Sequence, residues 1–285
     1  MVNPRVRRLY KPPGLLSALQ LCCPVAVLLC GAPAAADPLT ERQQLAGDYF
    51  VGASVFLFER TVLTAFAPSE LNGAGTTDTM LDAGAIVLAR ENAGDESGSV
   101  ALQAILGWLT AWLTLDKKIA AEGPPGFGAD RRHSLACIAY GADPEVSTEL
   151  ADHAGIAADE RSACITHYLE ARKQWSGWLL PYRQSADAPA TVRAAPEGAP
   201  SEGEPVLRLA FAPAIDAADQ AIAEAMQENG LFQVLTDDLN ATLIMPRPIT
   251  ALITQCGAPN AFYNPDRGEA VLCYEMLAAL LRASP

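Results

Sequence analysis

The sequence predicts an α+β protein, mostly helical, with a small antiparallel sheet and hairpin supplied by its C-terminal segment. Three observations carry this. Apolar runs of helical length dominate the chain as far as residue 180. A low-complexity stretch of Ala, Pro, Gly, Ser and Glu over 184–205 has almost nothing to bury and reads as a linker. Beyond it, short apolar strand-like runs alternate with helical ones.

Residues 1–36 read as a signal peptide. Arg5, Arg7, Arg8 and Lys11 form a basic start, 15–29 an apolar run, and Ala34-Ala35-Ala36 a small-residue site with cleavage expected after Ala36. Gln20 and Pro24 interrupt the run, which is too short for a bilayer span, and Leu29 before Cys30 argues against a lipid anchor. Cleavage removes four positive charges and no negative ones, so the formal charge falls from -13 to -17. Such an acidic chain repels nucleic acid and anionic membrane surfaces. A periplasmic or secreted protein with no transmembrane anchor is expected.

The mature chain divides into 37–183, the linker 184–205, and an α+β part at 206–285 expected to pack on the first as one domain. After a polar lead-in at 40–47, residues 50–66 predict a helix. Wound at 3.6 residues per turn it is apolar all round: Phe50, Ala53 and Leu57 on one flank, Phe56, Leu63 and Phe66 on another, Val51, Phe58 and Val62 on a third. Its middle carries Glu59 and Arg60, which need partners or a wet cleft because an unpaired buried charge is costly. Further helices are expected at 76–88, 100–115, 131–140 and 159–180, with loops at 91–98 and 123–128. The second of these, 100–115, holds Trp108 and Trp112 one turn apart, and at 16 residues it is short for a membrane span.

In the last part, 206–211 and 249–254 read as strands, 216–228 and 231–243 as helices, and 261–263 with 269–273 as a hairpin around Asn264-Pro-Asp-Arg-Gly268. A helix at 274–282 closes the chain.

Four cysteines outlast cleavage, Cys137, Cys164, Cys256 and Cys273, and no two have zinc-finger spacing. An even number in an oxidising compartment reads as two disulfides. Of three connectivities, the sequential pairs Cys137 with Cys164 and Cys256 with Cys273 are preferred, because each lies inside one supersecondary unit.

Three blocks together resemble an uncharacterised bacterial family classed as zinc metallopeptidases: 130–144, from Asp130-Arg-Arg-His to Asp143-Pro144; Arg161-Ser-Ala-Cys164 with 175–181; and, most specific, 256–275, which reads Cys-Gly-Ala-Pro-Asn-Ala-Phe-Tyr-Asn-Pro-Asp-Arg-Gly-Glu-Ala-Val-Leu-Cys-Tyr-Glu. The resemblance implies a zincin-like core, with a sheet edge above an active-site helix. In that family the buried helix carries HExxH: two His one turn apart hold zinc, and the Glu activates water. The matching window here is Glu59-Arg-Thr-Val-Leu63, so both His positions and the general base are replaced. Asp78 stands where the third ligand falls and Asp82 matches a family acid; these are weak remnants of a metal site. The family order would put the Cys-to-Cys block ahead of the zinc helix, whereas here it follows the linker.

The histidines, His133, His153 and His167, show no one-turn spacing, and exposed or hydrogen-bonded imidazole is their ordinary reading. No P-loop, dinucleotide fingerprint or Ser-His-Asp spacing is present. The resulting expectation is a pseudoenzyme: no catalytic residue, no cofactor-binding residue and no cofactor, although the family takes zinc. Glu59, Arg60, Asn260, Tyr263 and Glu275 are the candidate lining of a cleft for an unknown peptide or protein partner. The alternative is an active metal-dependent hydrolase with a non-standard metal site.

Overall fold

A computed structural model describes residues 41–67, 78–91, 102, 104–109, 129–184 and 206–284, with backbone alone for 41–45 and 129. The signal peptide, most of the linker, the loop at 91–98 beyond Glu91, the loop at 123–128, and the outer parts of the 100–115 helix lie outside the described residues.

The central helix, α1, runs Glu41–Leu63 and tightens into a 3-10 turn at Thr64–Phe66. It begins nine residues before its apolar pattern. Glu41, Arg42, Gln43, Gln44 and Leu45 are good helix formers, so the supposed lead-in is helical too. It ends where Ala67 adopts an extended backbone, the conformation favoured before a proline such as Pro68. Ala46–Phe66 is long and apolar enough to cross a membrane, yet it is mostly buried inside the protein, as suits a core helix. Its mid-helix hydroxyls need no outside partner: Ser54 Oγ donates to Phe50 O at 2.8 Å and Thr61 Oγ1 to Leu57 O at 2.6 Å.

Helix α2 is Asp78–Glu91, α3 Ala129–Ala142, α4 Thr148–His153 and α5 Arg161–Leu179. Residues 102 and 104–109 are helical and press Trp108 against Phe56, ring centroids 5.0 Å apart. Two close approaches set this packing. A Cβ on Gly52 would lie 2.0 Å from the carbonyl oxygen of Ala104, and one on Gly84 would lie 2.3 Å from the Trp175 ring. Trp175 also donates its Nε1–H to Met80 O at 2.9 Å, locking α5 on α2. At the end of α2, Glu91 gathers Arg172, Ser176 and Arg183. The predicted disulfide Cys137–Cys164 staples α3 to α5.

The C-terminal part begins with β1, Leu207–Phe211. Helix α6, Ala217–Asn229, starts at an N-cap where Asp216 Oδ1 accepts from Asp219 N at 2.9 Å. It ends at Gly230, whose φ of 67° turns the chain directly into α7, Leu231–Thr242. Then come β2, Ile249–Thr254, β3, Ala261–Asn264, and β4, Glu269–Cys273, and last α8, Tyr274–Ala283. Sheet order is β1-β2-β4-β3.

The fold class is α+β as predicted, but the sheet is mixed and not antiparallel. The α6–α7 crossover returns β2 parallel to β1, β4 also runs parallel to β2, and only the β3–β4 hairpin is antiparallel. Asn264 forms the hairpin turn by accepting from Asp266 N and Arg267 N at 3.1 and 3.3 Å. The predicted Cys256–Cys273 bond ties the end of β4 to the loop after β2.

Helix α1 touches α2, α7, β3, β4 and α8, so the last part of the chain packs against the first helix. Phe58 meets Phe232 of α7 at 5.3 Å between ring centroids. Residues 182–184 dock on the end of α7 through Ile244 N to Tyr182 O, 2.7 Å, and Gln184 N to Thr242 O, 3.0 Å.

Because close backbone approach at Gly52 and Gly84 leaves no room for a methyl group, Gly52→Ala and Gly84→Ala should each lower unfolding stability by about 1–3 kcal/mol despite alanine's better helix propensity. Chemical denaturation of the purified variants measures this; unchanged midpoints would show that these helix contacts are looser than described.

Candidate functional site

Adjacent positions on a helix point about 100° apart, so Glu59 and Arg60 leave α1 in different directions. Arg60 points toward α2. Its Nε donates to Asp82 Oδ1 at 2.8 Å, and its Nη2 to Asp78 Oδ1. From α3, Arg131 grips the same Asp82 with two parallel bonds: Nε to Oδ2 and Nη2 to Oδ1, both 2.6 Å. Asp82 is buried and receives three charge-assisted hydrogen bonds, which offset the loss of its hydration. The Asp78 side chain, by contrast, is 74% exposed, so its pairing with Arg60 is screened by water.

Glu59 faces the other way. Its residue exposure is 1%, and among the described residues its Oε2 finds no hydrogen-bond partner. Burial pushes this carboxyl well above its ordinary range, and the charge of Asp238 on α7 adds to the rise. Burial beside Asp238 therefore favours the protonated form of Glu59. Leu63, one turn on, is fully buried among apolar side chains.

Tested as a zinc site, this window does not fit. Leu63 offers no lone pair, Glu59 faces α7, and both oxygens of Asp82 are engaged by Arg60 and Arg131. Asp78 and Asp82 join no group of three convergent metal-ligating side chains among the described residues. Nor do the histidines: His153 and His167 are exposed, and His133 Nδ1 lies 3.3 Å from Ala154 O.

The remaining candidate residues cluster at the β3–β4 end. Asn260 Oδ1 accepts from Ala261 N at 2.9 Å, while its own carbonyl accepts from Cys273 N at 3.1 Å. Glu275, in the first turn of α8, accepts from Cys256 N at 3.0 and 3.1 Å and from Gly257 N. Tyr263 is half-buried, and burial raises its phenol pKa, with Arg247 opposing. These three serve the hairpin and its disulfide loop; among the described residues none bonds to Glu59 or Arg60.

The block that carries Asn260, Tyr263 and Glu275 also decides the comparison with known proteins. Residues 211–284 match the family described as "Putative metallopeptidase". The metallopeptidase-like match runs from the end of β1 through α8 and leaves out α1, where the HExxH window falls, and α3 and α5, which hold the other two resembling blocks. No curated protein and no solved structure matches the chain. The metallopeptidase-like segment nevertheless lies beside α1, through β3, β4 and α8.

Sequence reasoning found Glu59, Arg60, Asp78 and Asp82 but not Arg131, the second cation on Asp82. It is separated from Asp82 by 49 residues, and nothing in the sequence marks that approach. Asp238 was missed for the same reason.

Two outcomes follow. Asp82→Asn removes the charge that balances two mostly buried guanidinium groups and should cost about 3–5 kcal/mol by chemical denaturation. Glu59→Gln should act in the opposite sense. A raised folded pKa means that the folded state holds its proton more tightly, so the native chain loses stability as pH rises above about 4.5, the unfolded value. The amide removes that loss: Glu59→Gln should be more stable than the natural chain at pH 7 and nearly equal to it at pH 4. A pH-independent difference would refute the neutral, buried acid.

Proposed function

We propose that this protein is an exported, non-catalytic relative of metallopeptidases that binds a peptide or protein without cleaving it. The observation that carries the reading is the partnering of Arg60: its guanidinium joins Asp82 and Asp78, the two acids that the resemblance assigns to a metal site. A fixed cation there repels a dication a few Å away in a poorly hydrated setting. Leu63 withholds a ligand that a catalytic zinc needs, since three protein ligands and a water are the ordinary complement. The match over 211–284 supports the metallopeptidase-like origin. The signal-like start and the two disulfides support export.

The test compares the natural mature protein, disulfides intact, with the triple variant Glu59→His, Arg60→Glu, Leu63→His. Metal analysis of the natural protein should find far less than one zinc per chain, and a mixed-peptide digest should show no cleavage above background. Stoichiometric zinc with chelator-sensitive cleavage in the natural protein would overturn the reading. The triple variant reports whether the scaffold still accepts zinc once the three window positions are changed.

A further inference from the structure

The second disulfide has a neighbour that its covalent bond does not require. Cys256 is exposed, Cys273 is buried at the end of β4, and Glu275 begins α8 beside them. The two sulfurs and a Glu275 carboxylate oxygen all lie within 4.8 Å of one another. Glu275 also holds the Cys256 loop by accepting from Cys256 N and Gly257 N. This is a second, non-covalent tether across the same gap. If the S–S bond is cut, Glu275 keeps Cys256 near Cys273, and Oε2, whose contact is a shared 3.1 Å bond from Cys256 N, retains a free lone pair.

We propose that Cys256, Cys273 and Glu275 form a redox-gated zinc site, closed while the disulfide stands and opened by a dithiol reductant. Two thiolates and a carboxylate are a donor set suited to zinc, with water completing the tetrahedron. Zinc–sulfur bonds of about 2.3 Å place two sulfurs roughly 3.8 Å apart, a separation open to two side chains that Glu275 keeps side by side once the S–S bond is cut. The opening step balances. A thiolate of the reductant attacks the exposed Cys256 sulfur and the Cys273 thiolate leaves; the reductant's second thiol then displaces the Cys256 thiolate and closes its own disulfide. Two electrons and two protons pass to the protein, and zinc displaces the thiol protons on binding. The site is separate from the α1 window, and the proposal does not rest on the reading above, which concerns the oxidised protein.

The test titrates zinc into the full mature chain, oxidised and after reduction by a water-soluble phosphine, which takes up oxygen from water and leaves both thiols. A chromophoric chelator reads free zinc. The expected result is about one zinc per reduced chain and none for the oxidised chain, with binding lost in Cys256→Ser/Cys273→Ser. Glu275→Gln should weaken binding by at least the roughly tenfold that loss of a mere orienting residue costs. Cobalt(II) added to the reduced natural chain should give thiolate-to-cobalt charge-transfer absorption, which needs no variant to fold. The proposal is overturned if the reduced chain binds no zinc, if Cys256→Ser/Cys273→Ser binds it equally through Cys137 and Cys164, or if Glu275→Gln binds as tightly as the natural chain. Loss of tertiary circular dichroism on reduction that zinc does not restore overturns it as well.

Discussion

The buried carboxylate of Asp82 is the constraint on which the helical half depends. One side chain on α2 meets Arg60 of α1 and Arg131 of α3, so three helices are fixed by a single anion. Apolar packing alone leaves helices some freedom to slide, because hydrophobic contact is non-directional. A planar, bidentate Arg–carboxylate contact removes that freedom, since two parallel bonds set both distance and angle. The disulfide Cys137–Cys164 and the Trp175 hydrogen bond to Met80 then anchor α5 to α3 and α2. The α1 window is thus tied to the disposition of its neighbours before any question of chemistry arises.

Glu59 and Arg60 illustrate how a residue pair read as one unit divides in three dimensions. Neighbouring charges on a buried helix suggest mutual neutralisation, but helical geometry sends them to different elements. The Arg60 guanidinium is met by two carboxylates. Glu59 is fully buried and lies near Asp238, so its surroundings favour the protonated form. The core accepts the two for different reasons, Arg60 because its charge is compensated and Glu59 because burial disfavours ionisation.

Much of this was legible in the sequence because local chemistry decided it. The all-round apolar pattern of 50–66 marked a buried helix, the separate helical runs 216–228 and 231–243 marked the α6–α7 break, and the turn residues 264–268 marked the hairpin. The two disulfide pairs were legible for a similar reason, as each joins neighbouring elements along the chain. What could not be read depends on long-range direction. Periodicity places β1 and β2 but not their parallel pairing, which follows from how α6 and α7 carry the chain back. Arg131 looked like one more charge at a helix start, and Glu275 like cleft lining; only the fold shows one binding Asp82 and the other binding the Cys256 loop. The onset of α1 was placed too late because its first turns are polar, and polarity was taken for irregularity where propensity favoured helix.

The relation between Arg60 and a metal can be argued on charge alone. Two carboxylates at the start of α2, one of them buried, favour a cation beside them, and a dication or a guanidinium can satisfy them. The dication brings open coordination positions, and with them the capacity to polarise water. The guanidinium has its charge spread over a planar group with five donors and no vacant orbital, so it balances the carboxylates and offers no Lewis acidity. It also arrives with the chain, and the cluster is complete as soon as the helices pack. Among the described residues, changing Arg60 alone leaves Asp82 with Arg131 as its cation and takes from the exposed Asp78 its ion-pair partner. A window with Arg60 on two carboxylates, a buried Leu63 and a Glu59 buried on the other side fits a structural cluster better than it fits a zinc helix.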